Sequence, residues 1–139
     1  MDPIVLHYTV PGDDFTRAGE ASADLKARLK MLGLPVEAIR KVAIALYEGE
    51  INLAIHAGGG DIDVSISDDT VSLILSDDGP GIADINLAMS EGFSTAPDEV
   101  RSLGFGAGMG LPNMKKYSDT FDIASTLGVG TTVKMGVHF

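Results

Sequence analysis

Glu48 and Asn52 stand four residues apart in the stretch Glu48-Gly49-Glu50-Ile51-Asn52. On a helix, that spacing places a carboxylate and a carboxamide one turn apart on a common face, and His56 extends the line. The carboxylate can take a proton from an attacking hydroxyl or water. The amide oxygen is a hard neutral ligand suited to Mg²⁺ beside phosphates. A plain polar stripe is the competing reading. Against it, Asn fits a helix interior poorly, and apolar Ala45, Leu46, Ile51 and Ile55 point to a face at least half buried.

A second block, Asp77-Asp78-Gly79-Pro80-Gly81-Ile82, puts a carboxylate at the end of an alternating apolar run. Asp77 falls in phase with Val71, Leu73 and Leu75, so it faces inward and needs a partner. The exocyclic amine of adenine is one candidate, with Gly79 and Gly81 letting the backbone approach a flat ring. An ordinary Asp-Gly turn is the other. A third block, Gly104-Phe105-Gly106-Ala107-Gly108-Met109-Gly110-Leu111, alternates glycine over seven positions. Such a segment can fold over phosphates and offer backbone N–H groups at the start of a following helix, for which Pro112 suits the first turn. No Gly-Lys-Ser/Thr follows, so it is not a Walker A loop, and no G-x-G-x-x-G links a strand to a helix. Ser94, Thr95, Thr131 and Thr132 can bond phosphate oxygens, or simply cap a turn and pack in a strand.

The elements that must position these groups can be read from periodicity. Ile4 to Val10 alternates as a strand that Pro11-Gly12-Asp13 ends, with Asp13 offered as the cap of a first helix. Phe15, Ala18, Ser22, Leu25 and Leu29 recur at helical spacing until Gly33, and a long helix runs from Pro35 to Gly58-Gly59-Gly60. Ile62, Val64, Ile66 and then Val71, Leu73, Leu75 predict a hairpin turning at Asp68-Asp69. The stretch from Ile82 to Leu111 is rich in Gly, Ser and Asp, with a short helical candidate near Ile85 to Met89, and reads as a functional segment. A short helix at Met114 to Tyr117 and a closing hairpin around Gly128-Val129-Gly130 complete the chain.

A length of 139 residues fits a single domain over 1–139. The formal charge of −10 argues against a nucleic-acid surface, which needs clustered cations. Lys26, Arg28, Lys30, Arg40 and Lys41 form a basic cluster whose mixed-sign spacing suits a solvated helix face. No apolar run approaches the roughly 20 residues of a membrane span. There is no cysteine for disulfides and no basic-then-apolar leader, so the cytoplasm is the expected compartment.

In order, Glu48-x-x-x-Asn52, Asp77-x-Gly79-x-Gly81-Ile82, Gly104 to Leu111 and Gly130-Thr131-Thr132 resemble the N box, the two glycine boxes and the final Gly-Thr of the GHKL ATPases. The short chain is most similar to the anti-sigma and stressosome serine kinases. Glu91 to Thr95, Gly106 to Pro112 and Lys115-Lys116 look most like the RsbT type. Gly106 stands where the sporulation anti-sigma kinases carry an arginine, which argues against the sigma-binding branch; Arg101 lies nearby as a substitute.

The resemblance implies an α+β two-layer sandwich, a mixed, mainly antiparallel sheet with helices on one face, and ATP held between sheet and lid. It implies Glu48 as the catalytic base acting on a serine or threonine hydroxyl, Asn52 as the Mg²⁺ ligand and Asp77 as the adenine reader. Gly79, Gly81 and Ile82 would line the base, Gly104, Gly106, Gly108, Gly110 and Leu111 the phosphates, and Thr131 or Thr132 the adenine side. The implied substrate is a STAS-domain antagonist protein, with a sigma factor or a downstream phosphatase or cyclase as a further partner and a homodimer left open. The competing function is a nucleotide-gated binding module with little turnover.

Overall fold

A computed structural model describes residues 2–12, 17–82, 85, 89 and 110–139, apart from the His56 side chain, and among them alternation of two and recurrence of three and four give the five strands and three helices described below. Strand β1 is Ile4–Pro11, followed by helices α1 (Glu20–Met31) and α2 (Val36–His56). Strands β2 (Gly59–Ile66) and β3 (Thr70–Asp77) make the first hairpin. Helix α3 (Gly110–Lys116) leads into the hairpin of β4 (Thr120–Thr126) and β5 (Gly130–His138).

The sheet order is β1-β2-β3-β5-β4, and every pairing among the described residues is antiparallel, in keeping with the mainly antiparallel sheet expected. Both hairpins have short turns that favour antiparallel neighbours, and β5 enters beside β3 to complete the centre. All three helices lie on one face. Leu25 and Leu29 of α1, Val42, Ala45 and Leu46 of α2 and Met114 of α3 are fully buried against Ile62, Leu73 and Val137 of the sheet. The opposite face carries the polar members of each alternation, with His7, Asp63, Ile74, Lys134 and Asp122 in one cross-strand row. This two-layer arrangement buries one face of the sheet and solvates the other.

Helix α1 starts later than its sequence suggests. Asp13 lies outside the described residues, and the first turn forms at Glu20 after Gly19, whose φ of +103° favours glycine. The cap comes instead from Glu50 in the middle of α2, 1% exposed, whose carboxylate accepts from the backbone N–H groups of Gly19 at 2.9 Å, Ala21 at 3.1 Å and Ser22. A carboxylate at a helix N-terminus satisfies orphan donors and meets the positive end of the helix dipole. The basic cluster behaves as a solvated face: Arg28 pairs with Asp24 at 2.8 Å, Arg40 with Glu37 at 3.0 Å and Lys41 with Asp119 at 3.5 Å. Asp24 also accepts from the Tyr8 hydroxyl at 2.6 Å, and burial together with that acid pushes the phenol up to about 12. This bond ties α1 to β1.

His7 on β1 lies 2.8 Å from Asp63 and 3.2 Å from Asp61 on β2, and these acids hold its imidazole above the usual value of 6.5. A raised folded pKa stabilises fully below the unfolded value and is lost as pH rises through the folded one. The difference in Tm between the parent and His7→Asn is therefore expected to be largest below about pH 6.5 and to shrink as pH rises beyond it. A melting series from pH 5.5 to 8.5 checks this.

Candidate functional site

Helix α2 carries two faces of different chemistry. Its core stripe runs through Val42, Ala45, Leu46, Glu50, Leu53 and Ala54. Glu48 and Asn52 lie off that stripe, half-buried and one turn apart, as i and i+4 on a helix must. Gly49 makes close packing possible beside them. A Cβ built there would meet Leu75 Cδ2 and come within 3.5 Å of the Met114 sulfur, so glycine draws β3 and α3 against α2.

Glu48 faces the start of α3. Asn113 donates from Nδ2 to its Oε1 at 3.4 Å, and a Cβ at Gly110 would lie 3.8 Å from its Oε2. Asn52 makes no side-chain hydrogen bond among the described residues. Its oxygen is a hard neutral donor next to a carboxylate, a set that fits Mg²⁺ whose other ligands are phosphate and water. No group of three or more His, Cys, Asp or Glu suited to hold a metal occurs among the described residues.

Asp77 ends β3 on the inner face, half-buried. Its Oδ1 accepts from the backbone N–H groups of Gly79 at 2.9 Å and Thr131 at 3.3 Å. Its Oδ2 has no hydrogen bond among the described residues. Ser125, which the sequence did not single out, joins the two sides of this site. Its hydroxyl lies 2.8 Å from the Thr131 hydroxyl and accepts from the Ile82 N–H at 2.7 Å. The signal was its register, opposite Thr131 in the β4-β5 hairpin.

The glycines of the second block serve the protein's own backbone. A Cβ on Gly79 would meet the Ala57 carbonyl oxygen at 2.8 Å, and one on Gly81, at φ +79°, would meet the Thr126 carbonyl at 2.5 Å. The expected close approach is therefore to α2 and β4. A polar cleft of about 310 Å³, lined by Ala57 to Asp61 and Ser76 to Asp78, opens beside Asp77; its lining does not include Glu48 or Asn52.

Two further candidate residues fall on the sheet and in the core. Thr132 does not join Asp77: β5 alternates, so Thr131 faces inward with Val133 and Met135, while Thr132 pairs with Ser76 on the helix-free face. Leu111 is 7% exposed and belongs to the core, because the first turn of α3 packs on α2. Gly110 begins α3 beside Glu48. Gly104, Gly106, Gly108, Ser94, Thr95 and Arg101 lie outside the described residues.

Residues 39–139 match the family described as histidine kinase-, DNA gyrase B-, and HSP90-like ATPase. The chain is 33% identical over 109 residues, 76% of each chain, to the serine/threonine-protein kinase RsbT of Bacillus subtilis. It is also 33% identical over 105 residues to an anti-sigma F factor of Caldanaerobacter subterraneus, covering 72% of this chain and 70% of the other. An anti-sigma F factor of Clostridium novyi is 32% identical over 122 residues, 83% and 81% of the two chains.

Proposed function

The chain belongs to the family of histidine kinase-, DNA gyrase B- and HSP90-like ATPases, and from that premise we propose that it is an ATP-dependent protein serine/threonine kinase whose substrate is a STAS-domain antagonist protein in a partner-switching pathway. One observation carries the reading most: Glu48 is a half-buried carboxylate outside every ion pair among the described residues, one turn from Asn52. The kinase RsbT, at 33% identity, supports the same chemistry.

In this reading Glu48 takes the proton of the acceptor hydroxyl as its oxygen attacks the γ-phosphorus and ADP leaves with the bridging oxygen. Asn52 holds Mg²⁺, which supplies neutralisation of phosphate charge when bound. Asp77 Oδ2 takes the adenine amine, while its Oδ1 stays fixed by Gly79 and Thr131. Gly79, Gly81 and Ile82 stand at the base, and Gly104, Gly106, Gly108 and Gly110 give a backbone cradle for the phosphates. The reaction is then mostly positioning. The compartment proposed is the cytoplasm, and no helix among the described residues is long and apolar enough to cross a membrane.

A second reading has its own support in the relatives named anti-sigma F factor, and holds the chain to be a nucleotide-gated binding module. Incubation with γ-labelled ATP, Mg²⁺ and a STAS-domain protein from the same cell separates the two. The kinase reading expects one acid-stable labelled acceptor; bound nucleotide without label favours the module.

Asp77→Asn is expected to weaken ATP binding by about 10- to 100-fold, the loss of one charged hydrogen bond of roughly 1.5–3 kcal/mol. The Asn oxygen can still accept from Gly79 and Thr131, so the fold is retained. Titration calorimetry measures it, and an unchanged Kd would contradict the assignment of the adenine reader.

A further inference from the structure

Within the described residues, Glu48 has one hydrogen bond, and its donor is a neutral side chain. The bond spans 65 positions of sequence and joins α2 to α3 through the Asn113 carboxamide. Both side chains are half-buried, and the helices that carry them are firmly seated: Leu111 and Met114, either side of Asn113 on α3, are 7% and 0% exposed. Asn113 is three residues beyond Gly110, where an added Cβ would lie 3.8 Å from the Glu48 oxygen that Asn113 does not bond.

A cation here would hold the carboxylate deprotonated and weaken it as a proton acceptor. A neutral amide orients it without placing a charge beside it. The 3.4 Å separation is long for an N–H···O bond, so the contribution is direction more than strength. We infer that Asn113 is a positioning residue for Glu48, holding one carboxylate oxygen so that the other faces the acceptor hydroxyl. The inference rests on the reading of Glu48 as the base.

The test follows γ-phosphate transfer from labelled Mg·ATP to a STAS-domain acceptor by the full chain in a pH series, with Asn113→Ala, Asn113→Asp, Glu48→Gln and the double variant Glu48→Gln/Asn113→Ala. Asn113→Ala is expected to lower kcat by about 10- to 100-fold with KM for ATP nearly unchanged, as for a misplaced catalytic group. On the Glu48→Gln background the same change has no further effect, since a residue acting through Glu48 is non-additive with it. Asn113→Asp, close to isosteric and so the safeguard should Asn113→Ala fold poorly, places a second carboxylate beside the first. It shifts the acid limb of the kcat profile to higher pH. Independent, multiplying losses from the two sites, or an Asn113→Ala chain at full rate beside a slow Glu48→Gln, overturn the inference alone. A Glu48→Gln chain at full rate overturns the base assignment and this inference with it.

Discussion

Glu48→Gln is expected to slow phosphoryl transfer by about 10²–10⁴-fold while the Kd for ATP changes by less than about threefold. Gln has the same shape and keeps an oxygen for the Asn113 amide, so the packing of α2 on α3 is preserved. What it lacks is affinity for the acceptor proton. The side chain lies off the core stripe, and no described cation is paired with it, so removing its charge leaves no buried partner exposed. In barrier terms the expected loss is about 3–5 kcal/mol. Single-turnover transfer under saturating Mg·ATP, paired with calorimetric ATP binding, separates chemistry from affinity. A fall in rate matched by an equal fall in affinity would assign Glu48 to binding instead.

Two residues along the same helix, Glu50→Ala is expected to destabilise the fold by about 3–5 kcal/mol and lower Tm by on the order of 10 °C. Glu50 is 1% exposed and satisfies three backbone donors at the start of α1. Alanine orphans them in a buried place, at about 1–3 kcal/mol each before relaxation admits water. Glu50→Gln keeps an acceptor oxygen and is expected to cost less. Denaturant unfolding measures both, and a Glu50→Ala chain as stable as the parent would mean that α1 is held by its apolar face alone. The adjacent carboxylates thus divide: one fixes the fold, the other faces the candidate site.

The sequence was most legible where periodicity is local. Alternation in Ile62 to Ile66 and Val71 to Leu75 gave the first hairpin with its turn, and the stripe from Val36 to Ile55 gave α2. Glu50 was passed over although the signal was present: it is a charge within the buried stripe of Leu46, Leu53 and Ala54, where an acid must have partners. The partners were unreadable because they are backbone donors 28 to 31 positions away. Thr131 could have been preferred to Thr132 by counting in twos from Val133, Met135 and Val137. The pairing of β1 with β2 and of β3 with β5, the contact from Asn113 to Glu48 and the bond from the Ile82 N–H to Ser125 are long-range, and one sequence holds no local trace of them. The boxes single out Glu48, Asn52 and Asp77, and the geometry adds what the Glu48 and Asp77 carboxylates accept from.

The most direct measurement is mass spectrometry of a STAS-domain acceptor after one turnover with Mg·ATP, run in parallel with the parent chain and Glu48→Gln. The account predicts one phosphoserine or phosphothreonine formed in step with ADP by the parent, and almost none by the variant over the same time. ATP consumed without a phosphorylated acceptor, or equal phosphorylation by both chains, would contradict it.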